Sequence, residues 1–170
     1  MNMINDGLIK QKWDILLKEN PNLRIRNAAK ELGVSEGYLL QLNLGKHVTR
    51  LNPNFIEILN AFESLGEVIA ITRNNDAVIE CHGIYKNILL HHNVILVMND
   101  LIDLRIFIEK WHAVFAVEEF LQTSSRLSFQ FFDALGNAVH KVYLNNNQKQ
   151  DAFYHWVNKF KSQNQLPNHE

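Results

Sequence analysis

Apolar positions recur at helical spacing in the first third of the chain. Leu8, Ile9, Trp13, Leu16 and Leu17 predict a helix over Gly7–Glu19, which Asn20-Pro21 ends because the residue before proline is pushed out of the helical region. Ile25, Ala28, Ala29 and Leu32 predict a second, short helix closed by Gly33, and Ser35 with Glu36 opens a third through Tyr38, Leu39 and Leu42. A loop over Asn43–Pro53 follows. Phe55, Ile58, Leu59, Phe62 and Leu65 then predict an amphipathic helix that stops at Gly66, so four helices are expected before the first strand.

Beyond Gly66 the period moves from 3.6 toward 2. Val68–Ile71, Ala77–Ile79, Val94–Met98 and Leu101–Arg105 read as short strands between Asn-rich turns. Ile106–Trp111 fits either a strand continuation or a helical turn. Ala113–Val117, Leu127–Phe132 and Ala138–Leu144 are stronger strands, the last two joined by a hairpin turn at Asp133–Asn137. Asn145–Asn147 breaks the sheet, and Phe153, Trp156, Val157 and Phe160 form the apolar face of a closing helix. Helices at both ends of one strand block predict an α+β fold with a large antiparallel sheet, not a βαβ nucleotide fold. The expected organisation is one domain over 1–170: a helical subregion 1–65, a sheet 66–145, a closing helix 146–162 and a frayed tail 163–170.

Composition narrows the class without selecting one. At 170 residues the chain can bury roughly 70% of its unfolded surface, and 10 Phe and 3 Trp supply bulk for a core. A net charge of −1 gives no general attraction for polyanions. The single cysteine, Cys81, excludes an intramolecular disulfide framework and a Cys-paired zinc site and fits the cytoplasm. The apolar run Val94–Met98 is too short to span a bilayer, and Asp6 interrupts the segment where a signal peptide would place its basic and apolar regions, so neither a membrane span nor secretion is expected.

The segment Ile25–Leu42 has the shape of a DNA-reading helix-turn-helix, but Ser35–Leu42 offers Glu36, Tyr38 and Gln41 with no basic residue for phosphates or base edges. Among the 8 histidines, His82, His91 and His92 lie in or beside the strand block and are candidate ligands, against the plainer reading as hydrogen-bonded surface residues. His91-His92 matches no metal-site spacing, so no metal site is assigned, and no catalytic residue identifies itself. Glu118-Glu119, adjacent on a strand, would point to opposite faces and form no carboxylate pair. Arg105 is the most pointed feature: a guanidinium inside the apolar stretch 101–107 needs Asp103, Glu109, solvent or an anionic ligand as partner. Phe129, Phe131, Phe132 and Tyr143 read as core and sheet-face residues that can also line a pocket.

Several blocks, taken together in order, resemble a known family. Gly66-Glu-Val-Ile-Ala-Ile-Thr-Arg-Asn74, Leu101-Ile-Asp-Leu-Arg-Ile-Phe-Ile-Glu-Lys-Trp111, Ser128-Phe-Gln-Phe-Phe-Asp133 and His140-Lys-Val-Tyr143 are similar to the HemS/ChuS/HmuS haem-utilisation proteins, the hemin-degrading factors. Glu19-Asn-Pro21, Ala28–Val34 and Ala61–Gly66 resemble the start of the same family. Its members have two similar halves, and this chain resembles the N-terminal half. The resemblance implies a cytoplasmic protein of bacterial iron acquisition that binds imported haem for transfer or oxidative degradation. Arg105 matches the arginine that the first half gives to the haem site. The family's iron-ligating histidine belongs to the second half and has no matching position here, so enzymatic activity is not implied for this half by itself. The Leu89–Asn93 loop departs from the family pattern, and no ligand role passes to His91 or His92 by alignment. His82, His91, His92 and Tyr143 stay with Arg105 as candidate haem-contacting residues.

Single-domain relatives of the ChuX/HutX kind imply a homodimer or a separate second half as partner. Two other readings remain: a haem-free half that acts through protein contact, and a DNA-binding regulator that uses Ile25–Leu42.

Overall fold

The computed structural model describes residues 5–120, 124–145 and 149–167. Helix α1 (Asp6–Glu19) starts where the Asn5 side chain accepts the Leu8 N–H. Helix α2 (Ile25–Leu32) ends at Gly33, whose φ of 68° lets its N–H reach back to the carbonyls of Ala29 and Lys30. Ser35 caps α3 (Glu36–Gln41) by accepting the Tyr38 N–H. Trp13, Ala28, Ala29 and Leu39 form a small core among these helices.

The expected loop over 43–53 contains a strand, β1 (Val48–Leu51), paired with β7 (Ala113–Phe120). Three helices, not four, therefore precede the first strand. Val-Thr-Arg-Leu is too short to show a period, and the free edge of β7 decides its conformation. Helix α4 (Phe55–Ala61) follows, extended by a 3-10 turn at Phe62–Leu65 that stops at Gly66.

The expected strand block divides into two antiparallel sheets. The large one has the order β1-β7-β8-β9-β2-β3, with β2 at Glu67–Arg73, β3 at Val78–Ile84, β8 at Ser125–Phe132 and β9 at Ala138–Leu144. Ala77, read as strand, instead accepts the Asn74 N–H in the preceding turn. The small sheet runs β4-β5-β6: Ile88–His91, Val94–Met98 and Asp103–Phe107. Strand β4 was not expected. Strand β6 begins two residues later than its apolar pattern suggests, because the Asn99 side chain accepts the N–H groups of Leu101 and Ile102 and holds both in a turn. The ambiguous stretch 106–111 contains both forms, with Ile106 and Phe107 in β6 and Ile108–Lys110 in a 3-10 turn.

The expected 133–137 turn is present: Gly136, at φ 76°, donates to the Asp133 carbonyl, and the Gly37 N–H from α3 donates to the carbonyl of Gly136. A Cβ at position 136 would lie 2.3 Å from Ser35 Oγ.

One face of the large sheet carries Val68, Val114, Leu127, Phe129, Phe131 and Val142 into the main core. That core is closed by α4, by α5 (Gln150–Phe160) and by the inner positions Ile95, Val97 and Ile106 of the small sheet. The opposite face packs Phe115, Val117 and Phe132 against Leu40 and Ile25 of the helical region. Residues 163–167 do not show the expected fray. The Gln165 side chain donates to the Arg50 carbonyl at 2.9 Å and accepts the Arg50 N–H at 3.0 Å, which straps this segment to β1. The expected breaker residues Asn146 and Asn147 and the last three residues of the predicted tail lie outside the described residues, as do the first four of the chain. Among the described residues, no helix is long and apolar enough to cross a membrane.

Candidate functional site

Register and burial together define the outer face of the small sheet. Ile95, Val97 and Ile106 point into the core, so their neighbours along β5 and β6 point outward. Cross-strand rows then place Leu89, Leu96 and Arg105 side by side on that outer face, with His91, Val94 and Phe107 in the next row and Met98 opposite Asp103. Antiparallel sheets with one covered face usually turn polar residues to solvent. Here Leu89 (55% exposed), Phe107 (57%) and Met98 (40%) form an apolar field around one guanidinium.

The Arg105 Nη1 donates to Asp103 Oδ1 at 3.0 Å, and both side chains are more than half exposed. An ion pair this open contributes about 0–1 kcal/mol. It occupies one edge of the guanidinium, so the other donors of the fork can address a carboxylate on a ligand lying over the sheet. Asp103 was one of the expected partners of Arg105; the structure adds the apolar surroundings, set by which face of the small sheet is covered.

The five candidate residues fall into two groups. Arg105 and His91 share the outer face of the small sheet, and His92, at φ 52°, turns the chain between β4 and β5 with its ring edge-on to His91 at 4.4 Å. His82 and Tyr143 share the helix-side face of the large sheet, each in register with Ile69. His82 is exposed and bonded to Glu80 at 3.1 Å, whereas Tyr143 is buried to 7% exposure beneath the Arg126 guanidinium. The Tyr143 phenol is held protonated by its burial, reinforced by the nearby Glu119 carboxylate. Val142 and Leu144, which flank Tyr143 on β9, enter the main core that the small sheet helps to close, so the two groups lie on opposite sides of the large sheet. Phe129, Phe131 and Phe132 are fully buried core residues.

Sequence reasoning missed a buried polar connection. The His140 Nε2 is hydrogen-bonded to the Tyr85 hydroxyl at 2.5 Å, and its Nδ1 lies 2.9 Å from Thr72 Oγ1. Burial lowers the His140 pKa to about 4 and pushes the Tyr85 phenol up. Tyr85 sits in the short link between β3 and β4, so this chain of bonds ties the large sheet to the segment that leads into the small one. The signal was available in the strand alternation, which puts His140 on the same side as Val142 and Leu144.

Helix α3 is not presented as a recognition helix. Glu36, Gly37, Leu39 and Leu40 are buried, and Glu36 pairs with Lys141 at 2.5 Å. Among the described residues, no group of three His, Cys, Asp or Glu side chains can hold a metal ion.

Comparison with known proteins agrees with this architecture. Residues 33–160 match the haemin-degrading HemS.ChuX domain. The chain is 40% identical over 127 residues to the hemin transport protein HmuS of Yersinia pestis, which covers 74% of this chain and 37% of HmuS. Its structure superposes on that of the haem-binding protein PhuS of Pseudomonas aeruginosa in its holo form with a TM-score of 0.91, at 35% identity over 98% of this chain and 50% of PhuS. The haem-degrading enzyme ChuS of Escherichia coli O157:H7 gives a TM-score of 0.87 at 30% identity, over 98% of this chain and 51% of ChuS. The chain thus spans about half of PhuS and of ChuS and just over a third of HmuS.

Proposed function

Because the chain belongs to the haemin-degrading HemS.ChuX domain family, we propose that it binds haem on the outer face of its small sheet, with Arg105 as the polar anchor. The observation that carries this reading is the coincidence of an open guanidinium with an exposed apolar sheet face. A flat apolar macrocycle with carboxylate arms needs such a surface: Leu89, Leu96 and Phe107 offer area against the ring, and the Arg105 fork offers hydrogen bonds to a carboxylate. His91 stands on the same face as a candidate contact of the iron side, with His92 beside it. Haem supplies redox chemistry when bound; the protein's part is to hold it, shield one side and fix its orientation.

An open sheet face covers only one side of a planar ligand. The chain spans 50% of PhuS, so we assign the other side to a second HemS-like half or a second copy of this chain. The working context is the cytoplasm, with haem taken up for transfer or degradation. His82 and Tyr143, on the far side of the large sheet, are not part of this contact.

Titration of the chain with hemin, followed at the Soret band, tests the proposal. A saturable shift at micromolar protein is expected, with affinity about tenfold weaker in Arg105→Ala if the fork grips a carboxylate. No saturable shift removes direct haem binding. A second reading rests on the same exposed apolar face: a haem-free half that docks protein there. It predicts a rise in solution mass on adding a separately produced second half, with no change in the Soret region.

A further inference from the structure

The helix side of the large sheet carries a cleft of about 570 Å³ that the haem-binding proposal does not use. Its base is β9 and β2, where Tyr143, Lys141 and Ile71 face upward, and its wall is the segment leading into α2. Pockets of this size take small organic molecules.

Charge is unevenly placed here. The protein as a whole has a net charge of −1. Arg24, Arg26, Arg73, Arg126 and Lys141 nevertheless line this one cleft against only two carboxylates, Glu36 and Glu119. Those two are already engaged, Glu36 with Lys141 at 2.5 Å and Glu119 with Arg126 at 2.9 Å. Arg26 is held by neutral oxygens, the Asn74 carbonyl and the Asn75 side chain, so its charge is not balanced. Arg24 and Arg73 make no side-chain hydrogen bond or ion pair among the described residues. The Tyr143 hydroxyl likewise has no hydrogen-bond partner among the described residues, although its ring is buried and fixed beneath the Arg126 guanidinium.

We propose that this cleft is a binding site for a small organic polyanion, whose oxyanion groups are held by Arg24 and Arg73 and accept a hydrogen bond from the Tyr143 hydroxyl. Three features support the assignment beyond bulk charge. The uncompensated cations converge on a concavity instead of being spread over a convex surface, which focuses their field and raises the local anion concentration. The guanidinium fork matches carboxylate and phosphate oxygens equally well, so the shared chemistry is the multivalent oxyanion. The exposed ring of Phe120 and the side chains of Ile25 and Ile71 give an organic body apolar surface beside the charges.

The site and the haem face lie on opposite sides of the large sheet, so they fail or succeed separately. Calorimetric titration of the full chain at low salt with pyrophosphate and with citrate separates the phosphate from the carboxylate source. Saturable binding of at least one probe is expected, weakened about tenfold or more by the double change Arg24→Gln and Arg73→Gln, and severalfold by Tyr143→Phe. Arg105→Ala should leave it unchanged. Because Arg24 and Arg73 have no hydrogen-bond or ion-pair partners to lose among the described residues, the double variant should melt at the temperature of the parent protein, which keeps a loss of binding interpretable. The proposal is overturned if neither probe saturates, if the double variant binds as the parent does, or if Lys12→Gln on the distant α1 weakens binding equally, since that marks unspecific charge attraction.

Discussion

The two sheets of this protein solve the same problem differently. In the large sheet, strand β8 is buried from Leu127 through Phe132 without a break, because one face meets the main core and the other meets the helical region. In the small sheet Ile95, Val97 and Ile106 are covered on the inner side, and the outer row keeps leucine, methionine and phenylalanine in water. Apolar residues on a solvated strand face add little to folding and invite association. A sequence that retains them against that cost is arranged for contact with something else, and a local rule broken in this way marks a functional surface.

The sharpest test of the difference is truncation of one phenylalanine in each sheet. Phe129→Ala, at a site with 0% exposure where the ring packs 4.8 Å from those of Phe62 and Phe153, should cost about 3–5 kcal/mol in chemical denaturation. Phe107→Ala on the outer row should stay within about 0.5 kcal/mol of the parent while reducing hemin affinity. Equal costs at the two positions would mean that the outer row is covered in solution.

The link into the small sheet should show in the pH dependence of stability. His140 is neutral when folded, with its pKa lowered to about 4 by burial, whereas an unfolded histidine titrates near 6.5. The unfolded chain therefore binds more protons between these values, and stability rises with pH across that window. The contribution is present in full above about pH 6.5 and lost as pH falls toward 4, amounting to roughly 3 kcal/mol. Denaturation of His140→Gln over the same range should show a flatter slope; a slope identical to that of the parent would place the titration elsewhere.

Smaller again is the effect at the joint between α3 and the β8–β9 turn. Gly136→Ala should cost about 2 kcal/mol, since φ is 76° and the new Cβ would crowd Ser35, the cap of α3. Thermal melting checks it, and an unchanged midpoint would show that the turn relaxes freely. Least of all, Arg105→Ala should leave the melting temperature within error, because its only ion pair among the described residues is exposed on both sides. A clear loss of stability there would make Arg105 a structural residue and would separate it from the haem proposal.

The elements with a sustained period were legible in the chain. Helices α1, α2 and α5, the strong strands β8 and β9 and the turn between them follow from apolar spacing, glycine and Asx chemistry, which act over a few residues. Strands β1 and β4 were not legible, because each has four residues and takes its conformation from the neighbour it pairs with. The family resemblance and the marked position of Arg105 were also readable from residues alone, and residues 33–160 match that family.

Only the tertiary structure decided that the strand block splits into two sheets, that Arg105 stands in an apolar field, and that Tyr143 lies on the opposite side of the large sheet from it. Alternation along a strand says which residues share a face, but which face is covered depends on packing between segments far apart in sequence. The same limit applies to the cleft beside Tyr143, whose arginines come from α2 and its approach, β2 and β8 and meet only when those elements pack.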